Sequence, residues 1–364
     1  MIDTNFKPST RAYSVGAELE VRLVDKKSLE VVPLAPKILN SLSMDLRPFI
    51  HKELLESMVE LVTPVCSNSK EAVQKLQELA HIVDKKAKES GACITALGTH
   101  AFEERLRDEI TKDPRYISFL HELQYVLRKF LICGFHIHVG MPDLSSALRA
   151  FNFSINYLPL FLALSASSPF YNGENTGLLS FRTKIFEMLP RAGIPEYFDS
   201  FKEYVNLFVI LENANMVKSI KDVWWDVRIH PDFGTVELRV CDALPDFERI
   251  ELLISLFRAL CLYAQSAPLE KLHHQIHKQN KWDAARHGLS GIYIQNERSL
   301  SIQEFGLETL YRMEKERVFD ELGEKEKLSS LIALMHKKNI AQELIDIYKK
   351  TKDLKRVEQR GILT

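Results

Sequence analysis

Between Val15 and Val24 the chain reads V-G-A-E-L-E-V-R-L-V, apolar and polar residues alternating with the period of a β-strand. Such a strand must lay one side on a core, so Val15, Ala17, Leu19 and Val21 are read as core residues. Glu18 and Glu20 then share the opposite face, about 6.6 Å apart along the backbone. Two like charges so placed need a counter-cation or open water, and E-x-E alone is also the mark of a solvated outer face.

The remaining pattern interleaves strands and helices. A turn follows at Asp25-Lys26-Lys27, and Glu53 to Val62 reads as a second strand near its end, closed by Thr63-Pro64. Ser69 to Ser90 has helical spacing and should stop at Gly91. Ala92 to Leu97 and Cys133 to Met141 read as strands, with a helical stretch from Tyr116 to Leu131 between them. Leu144 to Ser165 reads as one or two helices and Pro169 to Gly177 as a loop. Val223 to Val240 reads as two strands joined at Pro231-Asp232-Phe233-Gly234, and everything after Ile250 looks helical. Hairpin signals beside long helices predict an α+β fold with a largely antiparallel sheet. With no repeat and no long linker, 1–364 is read as one domain, its sheet and helices over about 13–290 and a helical part over about 291–364.

Composition narrows the function classes. Lys plus Arg number 48 against 49 for Asp plus Glu, so no overall field draws the chain to nucleic acid or anionic lipid. The five cysteines are odd in number and lack C-x-x-C, which predicts reduced thiols, no zinc and a cytoplasmic setting. Met1 to Ser14 carries charged and polar residues where a signal peptide needs an apolar run, and no stretch nears about 18 apolar residues, so no membrane partner is expected. Apolar positions in the last helices (Leu331, Leu334, Leu344, Ile347) suit core packing or a second copy of the chain in a homo-oligomer.

Four further segments carry chemistry. In K-E-L-L-E-S-M-V-E, Glu53, Glu56 and Glu60 concentrate negative charge, as a surface or as a site. C-G-F-H-I-H-V-G sets His136 and His138 on one face of an apolar strand, where two imidazoles need partners; they are satisfied core residues or metal ligands. G-T-V-E-L-R-V-C-D does the same with Glu237 and Arg239, a structural ion pair or part of a site. The loop Ser167 to Arg182 offers backbone amides and a guanidinium suited to a carboxylate or phosphate, if it is more than a turn. Taken together, these carboxylates, histidines and arginines suggest a wall around divalent cations and polyphosphate. Oxygen-rich ligation suits Mg2+ or Mn2+, and Mg-ATP is the natural ligand although no Walker or Rossmann motif is present.

The strings G-A-E-L-E, L-E-S-M-V-E-L-V-T-P-V-C, G-T-H-A-F, C-G-F-H-I-H-V-G, L-S-A-S-S-P-F-Y-N-G-E-N-T-G, W-W-D-V-R-I-H-P-D-F-G-T-V-E-L-R-V-C-D and N-K-W-D-A-A-R-H-G resemble the carboxylate-amine ligase family, also called glutamate-cysteine ligase type 2, from about Tyr13 to Gly288. Ala101 stands where proline is usual in that family. The resemblance implies a glutamine-synthetase or guanido-kinase-like catalytic fold whose curved sheet holds Mg2+ and ATP on its concave face. It implies metal-ligand positions at Glu18, Glu20, Glu53, Glu60, His136 and Glu237, with Glu60, Glu237 and Arg239 at the catalytic centre. Arg239 would contact phosphate, His138 the nucleotide and Arg182 an amino-acid carboxylate. The implied activity is ATP-dependent amide formation through an acyl phosphate, joining glutamate to cysteine or another amine. A guanidino or carboxylate phosphotransferase, or a silent Mg-ATP-binding regulatory protein, would use the same wall.

Overall fold

The computed structural model describes residues 6–103 and 109–363. Seven strands form its main sheet: β1 Val15–Asp25, β2 Ile50–Lys52, β3 Met58–Val62, β4 Ala92–Thr95, β5 Gly134–Gly140, β6 Val227–His230 and β7 Thr235–Asp242. Their order is β6-β7-β5-β1-β3-β2, every pair antiparallel, and β4 extends the β5 side of β1 along its second half. The predicted α+β class and antiparallel sheet are therefore what the chain adopts.

β1 is the spine because it is long enough to pair with three neighbours, and its alternation decides which face does what. Val15, Ala17, Leu19, Val21 and Leu23 are at most 1% exposed, on the side where the helices Ser69–Lys88 and Phe247–Tyr263 pack together against β1. The first of these helices starts where the Asn68 side chain accepts from the Glu71 amide and runs out before Gly91, whose φ of +74° suits glycine. Apolar side chains from Val15 to Leu363 join in one continuous core.

Several segments depart from the sequence reading. β3 begins only at Met58, because Leu55 bridges to Ile110 and the Ser57 carbonyl accepts from Leu23, which turns Glu53–Ser57 out of the strand. The stretch from Tyr116 to Leu131 is not one helix. Asp113 caps a helix Pro114–Leu123, Gln124 with a φ of +47° ends it, and a single 3-10 turn follows at Leu127–Lys129. The Pro169–Gly177 loop contains a two-residue ribbon, Phe170–Tyr171 with Glu174–Asn175, and a second ribbon, Ile292–Ile294 with Ser299–Ser301, interrupts the helical C-terminal part. Leu144–Ile155 and Leu158–Ser165 are two helices, and Phe201–Asn213 is a helix without a counterpart in the reading above. Among the described residues no single helix is long and apolar enough to cross a membrane.

The C-terminal segment is tied to the sheet. Ala96 donates to the Gly361 carbonyl at 2.8 Å, Leu363 donates to Ile94 at 3.1 Å, and Thr95 bridges Ile362. Fully buried Glu358, from the Leu354–Gln359 helix, accepts from the Thr95 hydroxyl and the Ala101 amide at 3.1 Å each and lies 3.8 Å from fully buried Arg22. Arg22 has the strand parity of Glu18 and Glu20, so one face of β1 meets this helix at one end and presents the acidic pair at the other.

Candidate active site

Directly opposed residues in an antiparallel pair project to the same face. The register opposes Glu20 to Glu60, Glu60 to His51, Glu18 to His136, His138 to Glu237 and Glu237 to Arg228. One row across six strands is thus built of ionisable side chains. Arg239 joins it by strand parity with Glu237, and a β-bulge between Leu238 and Cys241, where the register with β5 slips by one residue, keeps both of those in the core. The Asp226 carbonyl holds this bulge by accepting from the Arg239 amide at 2.7 Å.

Charge is distributed unevenly along the row. Glu237 is fully buried beneath two guanidiniums: Arg228 Nε reaches its Oε2 at 2.5 Å, and Arg239 Nη1 bonds to Oε1. Burial opposes ionisation there, but the two arginines hold the carboxyl well below its ordinary range. Glu18 sits 3.0 Å from His136 Nδ1 and 3.2 Å from His138 Nε2. Burial works against its charge too, and the two histidines outweigh it, keeping Glu18 ionised. His138 is raised, since Glu237 and Glu18 overcome its burial, and its other ring nitrogen lies 3.0 Å from the Thr235 hydroxyl.

Glu53 and Glu60 have no such balance. Burial, followed by the charges of Glu20 and Glu60, pushes Glu53 well above the usual carboxylate range; burial with Glu18 and Glu20 does the same to Glu60, against a smaller pull from Arg239. The nearest basic group to Glu60 is the partly exposed His51 at 3.7 Å. His136 is lowered by burial and Arg239, and its buried Nε2 has no hydrogen-bond partner. A neutral imidazole nitrogen without a partner, aimed at carboxylates in excess of their counter-charges, fits a divalent cation. Ligand atoms of Glu20, Glu60 and His136 lie within 4.8 Å of one another, as do those of Glu18, His136 and Glu237.

The row floors a cleft of about 830 Å3. At one end His230 stacks on the exposed Phe233 ring, centroids 4.1 Å apart and planes 6° apart, with His138 beside them. At the other, Arg182 enters from the loop read in the sequence. Fully buried Asp242 shapes that loop by accepting from the Ser167 amide and the Ser168 and Ser180 hydroxyls at 2.7–3.0 Å, and Ser168 Oγ accepts from the Arg182 amide. Arg182 is 2% exposed and passes over Gly134, where a Cβ would stand 2.2 Å from Arg182 Nη2 and 3.0 Å from His136 Nε2. Only the lack of a side chain at 134 lets guanidinium and imidazole come this close.

Glu18, Glu20, Glu53, Glu60, His136, His138, Arg182 and Arg239 all line the cleft, and Glu237 lies directly beneath it. Glu56 does not join them. Arg228 went unnoticed in the sequence, although counting back through the Pro231–Gly234 turn sets it opposite Glu237. Asp226, Asp242 and Lys281, which support the two arginines from behind, had no sequence signal because their partners are distant in the chain.

With its relatives beside it, this fold and site define an ATP-dependent ligase. The chain belongs to glutamate-cysteine ligase family 2, whose model matches residues 14–360, well beyond Gly288. A protein of Roseiflexus sp. named "Putative glutamate--cysteine ligase 2" is 33% identical over 363 residues, covering 97% of this chain and 95% of its own length. One of the same name from Herpetosiphon aurantiacus is 32% identical over 350 residues, covering 95% and 91%. Among solved structures, a glutamate-cysteine ligase from Francisella tularensis in complex with AMP matches with a TM-score of 0.71 at 14% identity, over 98% of this chain and 89% of that one. A bifunctional glutathione synthetase from Pasteurella multocida matches at 0.72 and 15%, over 96% of this chain; the chain spans 52% of that protein. At such identities the structural likeness speaks for the fold.

Proposed function

We propose that this chain joins a carboxylic acid, glutamate in the first instance, to an amine such as cysteine, using Mg-ATP and passing through an acyl phosphate. The observation that carries the reading is the cluster of Glu20, Glu53 and Glu60, short of counter-charge, in one cleft with Arg239, Arg182 and a His136 Nε2 that has no hydrogen-bond partner. Glu18, Glu20, Glu53, Glu60, His136 and Glu237 would hold the cations. Mg2+ or Mn2+ bound there would neutralise phosphate charge during the transfer.

The protein's own share is electrostatic and positional. Arg239, steadied by Glu237, would donate to the equatorial oxygens of the γ-phosphoryl group as it moves, and Arg182 would fix an amino-acid carboxylate. His138 with the His230–Phe233 stack suits the nucleotide end of the cleft. A carboxylate oxygen attacks the γ-phosphorus and ADP leaves. The amine lone pair then attacks the carbonyl carbon, the C–O bond to phosphate breaks, and the amine proton leaves with phosphate or solvent. The shared core over the described residues supports a single catalytic unit, and five buried thiols support a reducing, cytoplasmic setting.

The test is ADP release by the purified chain with Mg-ATP, glutamate and a panel of amines, with product mass by spectrometry. An amide product is expected. A stable phosphorylated acid without amide would make the protein a phosphotransferase, and no ADP with any pair would make it a binding protein.

A further inference from the structure

The cleft is acidic and basic over the sheet but apolar around Arg182. Phe186 and Phe130 stand at this end, and Phe119, Leu127, Leu189 and Trp224 also line the cleft. They are organised as two aromatic walls. Phe130 and Phe186 lie 6.2 Å apart, with the Arg182 guanidinium 5.4 Å above Phe186, and Phe119 meets Trp224 edge-on at 5.3 Å. Arg182 is poorly satisfied within this setting. Its Nε has no partner, its Nη1 reaches the Val240 carbonyl only at 3.4 Å, and Asp242 is 4.0 Å away. A buried guanidinium with free donors beside an apolar wall is complementary to a molecule with one anionic head and an apolar body.

Resting on the ligase reading above, we propose that the amine partner is an α-amino acid with a large apolar side chain, of the leucine, methionine or phenylalanine class, its carboxylate on Arg182 and its side chain against the Phe130–Phe186 and Phe119–Trp224 walls. The acid substrate must bring its reacting carboxylate to the cation cluster, and Arg182 shares the Gly134 notch with His136 of that cluster, so an amine held on Arg182 stands next to the reacting carbon. Apolar surroundings also favour the neutral, nucleophilic amine over the ammonium ion. Cysteine would leave most of this surface uncovered, and each buried methylene adds about 0.8 kcal/mol, nearly fourfold in affinity.

The experiment has two arms on the full chain. Isothermal calorimetry with Mg2+ and a non-hydrolysable ATP analogue measures binding of L-phenylalanine, L-leucine and L-methionine against L-cysteine and L-serine; ADP release with glutamate as acid measures kcat/KM for the same five. The proposal expects at least about tenfold preference for the apolar three in both arms. It also expects about tenfold weaker phenylalanine binding in Phe186→Ala and in Phe119→Ala, substitutions on separate walls so that misfolding of one leaves the other informative. Cysteine or serine performing as well as the apolar amino acids would overturn the proposal and leave the ligase intact. Tight apolar binding with no ADP release from glutamate and any of the five would sink the glutamate-ligase reading while leaving the apolar amino-acid site standing. Absence of apolar binding would overturn the site itself.

Discussion

Lys281 donates its buried ammonium to Asp226 Oδ2 at 2.5 Å while lying 2.7 Å from Glu187 Oε1. Asp226 is the residue whose carbonyl holds the Arg239 bulge, and Glu187 closes the short helix that Arg182 opens. One cation therefore ties together the supports of two arginines on different sides of the cleft. Lys281→Met should destabilise the protein by about 3–5 kcal/mol in denaturant titration, since it strands buried carboxylates. Where the variant remains folded, kcat should fall more than the KM for ATP rises, and Lys281→Arg should restore part of it. An unchanged kcat would confine Lys281 to a structural role.

Glu60→Gln and Glu53→Gln should act on stability and turnover in opposite directions. Each relieves like-charge repulsion in the cation-free protein, so near pH 7 without divalent ions the melting temperature should rise, by about 1 kcal/mol or more in stability. Mg2+-dependent ADP release should vanish. A lower melting temperature would contradict the uncompensated cluster.

Glu237→Gln should behave differently although it lies on the same sheet face. Its charge is already matched by Arg228 and Arg239, so its loss leaves two buried cations unpaired and should cost about 3–5 kcal/mol. Urea unfolding of the two glutamine series side by side would test this difference in sign.

Gly134→Ala should harm amino-acid use more than nucleotide binding. The added methyl would collide with the Arg182 guanidinium, and displacement by about 1 Å can cost on the order of 100-fold in rate. Calorimetry with the ATP analogue should change little by comparison; equal losses in both would show that Arg182 is not the target.

His277 gives a pH signature away from the cations. Burial lowers it to about 4, its Nε2 lies 2.7 Å from the Tyr197 hydroxyl, and its buried Nδ1 has no partner. The unfolded chain takes up this proton near pH 6.5 and the folded protein only near 4, so stability should fall as pH drops through that window, by about 1.4 kcal/mol per unit from this group. His277→Gln should flatten the slope there, and an unaltered slope would assign it elsewhere, with His230, also lowered by burial to about 4, the next candidate.

Much of the sheet was legible because strand period and turn chemistry are local. The alternation in β1, the H-x-H of β5 and the Pro231–Gly234 turn suffice to put Glu18, His136 and Glu237 on strands, while their being neighbours is set by long-range register. Glu56 was misgrouped with Glu53 and Glu60 because the start of β3 depends on Leu55 bridging Ile110, a contact between distant segments. Lys281, Asp226 and Asp242 were silent for the same reason. Their roles exist only once helix Arg182–Phe186, β6 and β7 are packed together.

The Arg22–Glu358 contact has a practical side. Because Arg22 and the acidic pair belong to one strand, clipping the last turns of the chain would leave a sunken positive charge two positions from Glu20 with backbone carbonyls but no carboxylate beside it. A shortened or C-terminally fused preparation that fails to release ADP could owe its silence to a lost brace at the far end of the same sheet face rather than to any missing reactive group. Assays are therefore best begun on chains whose tail is native and untagged.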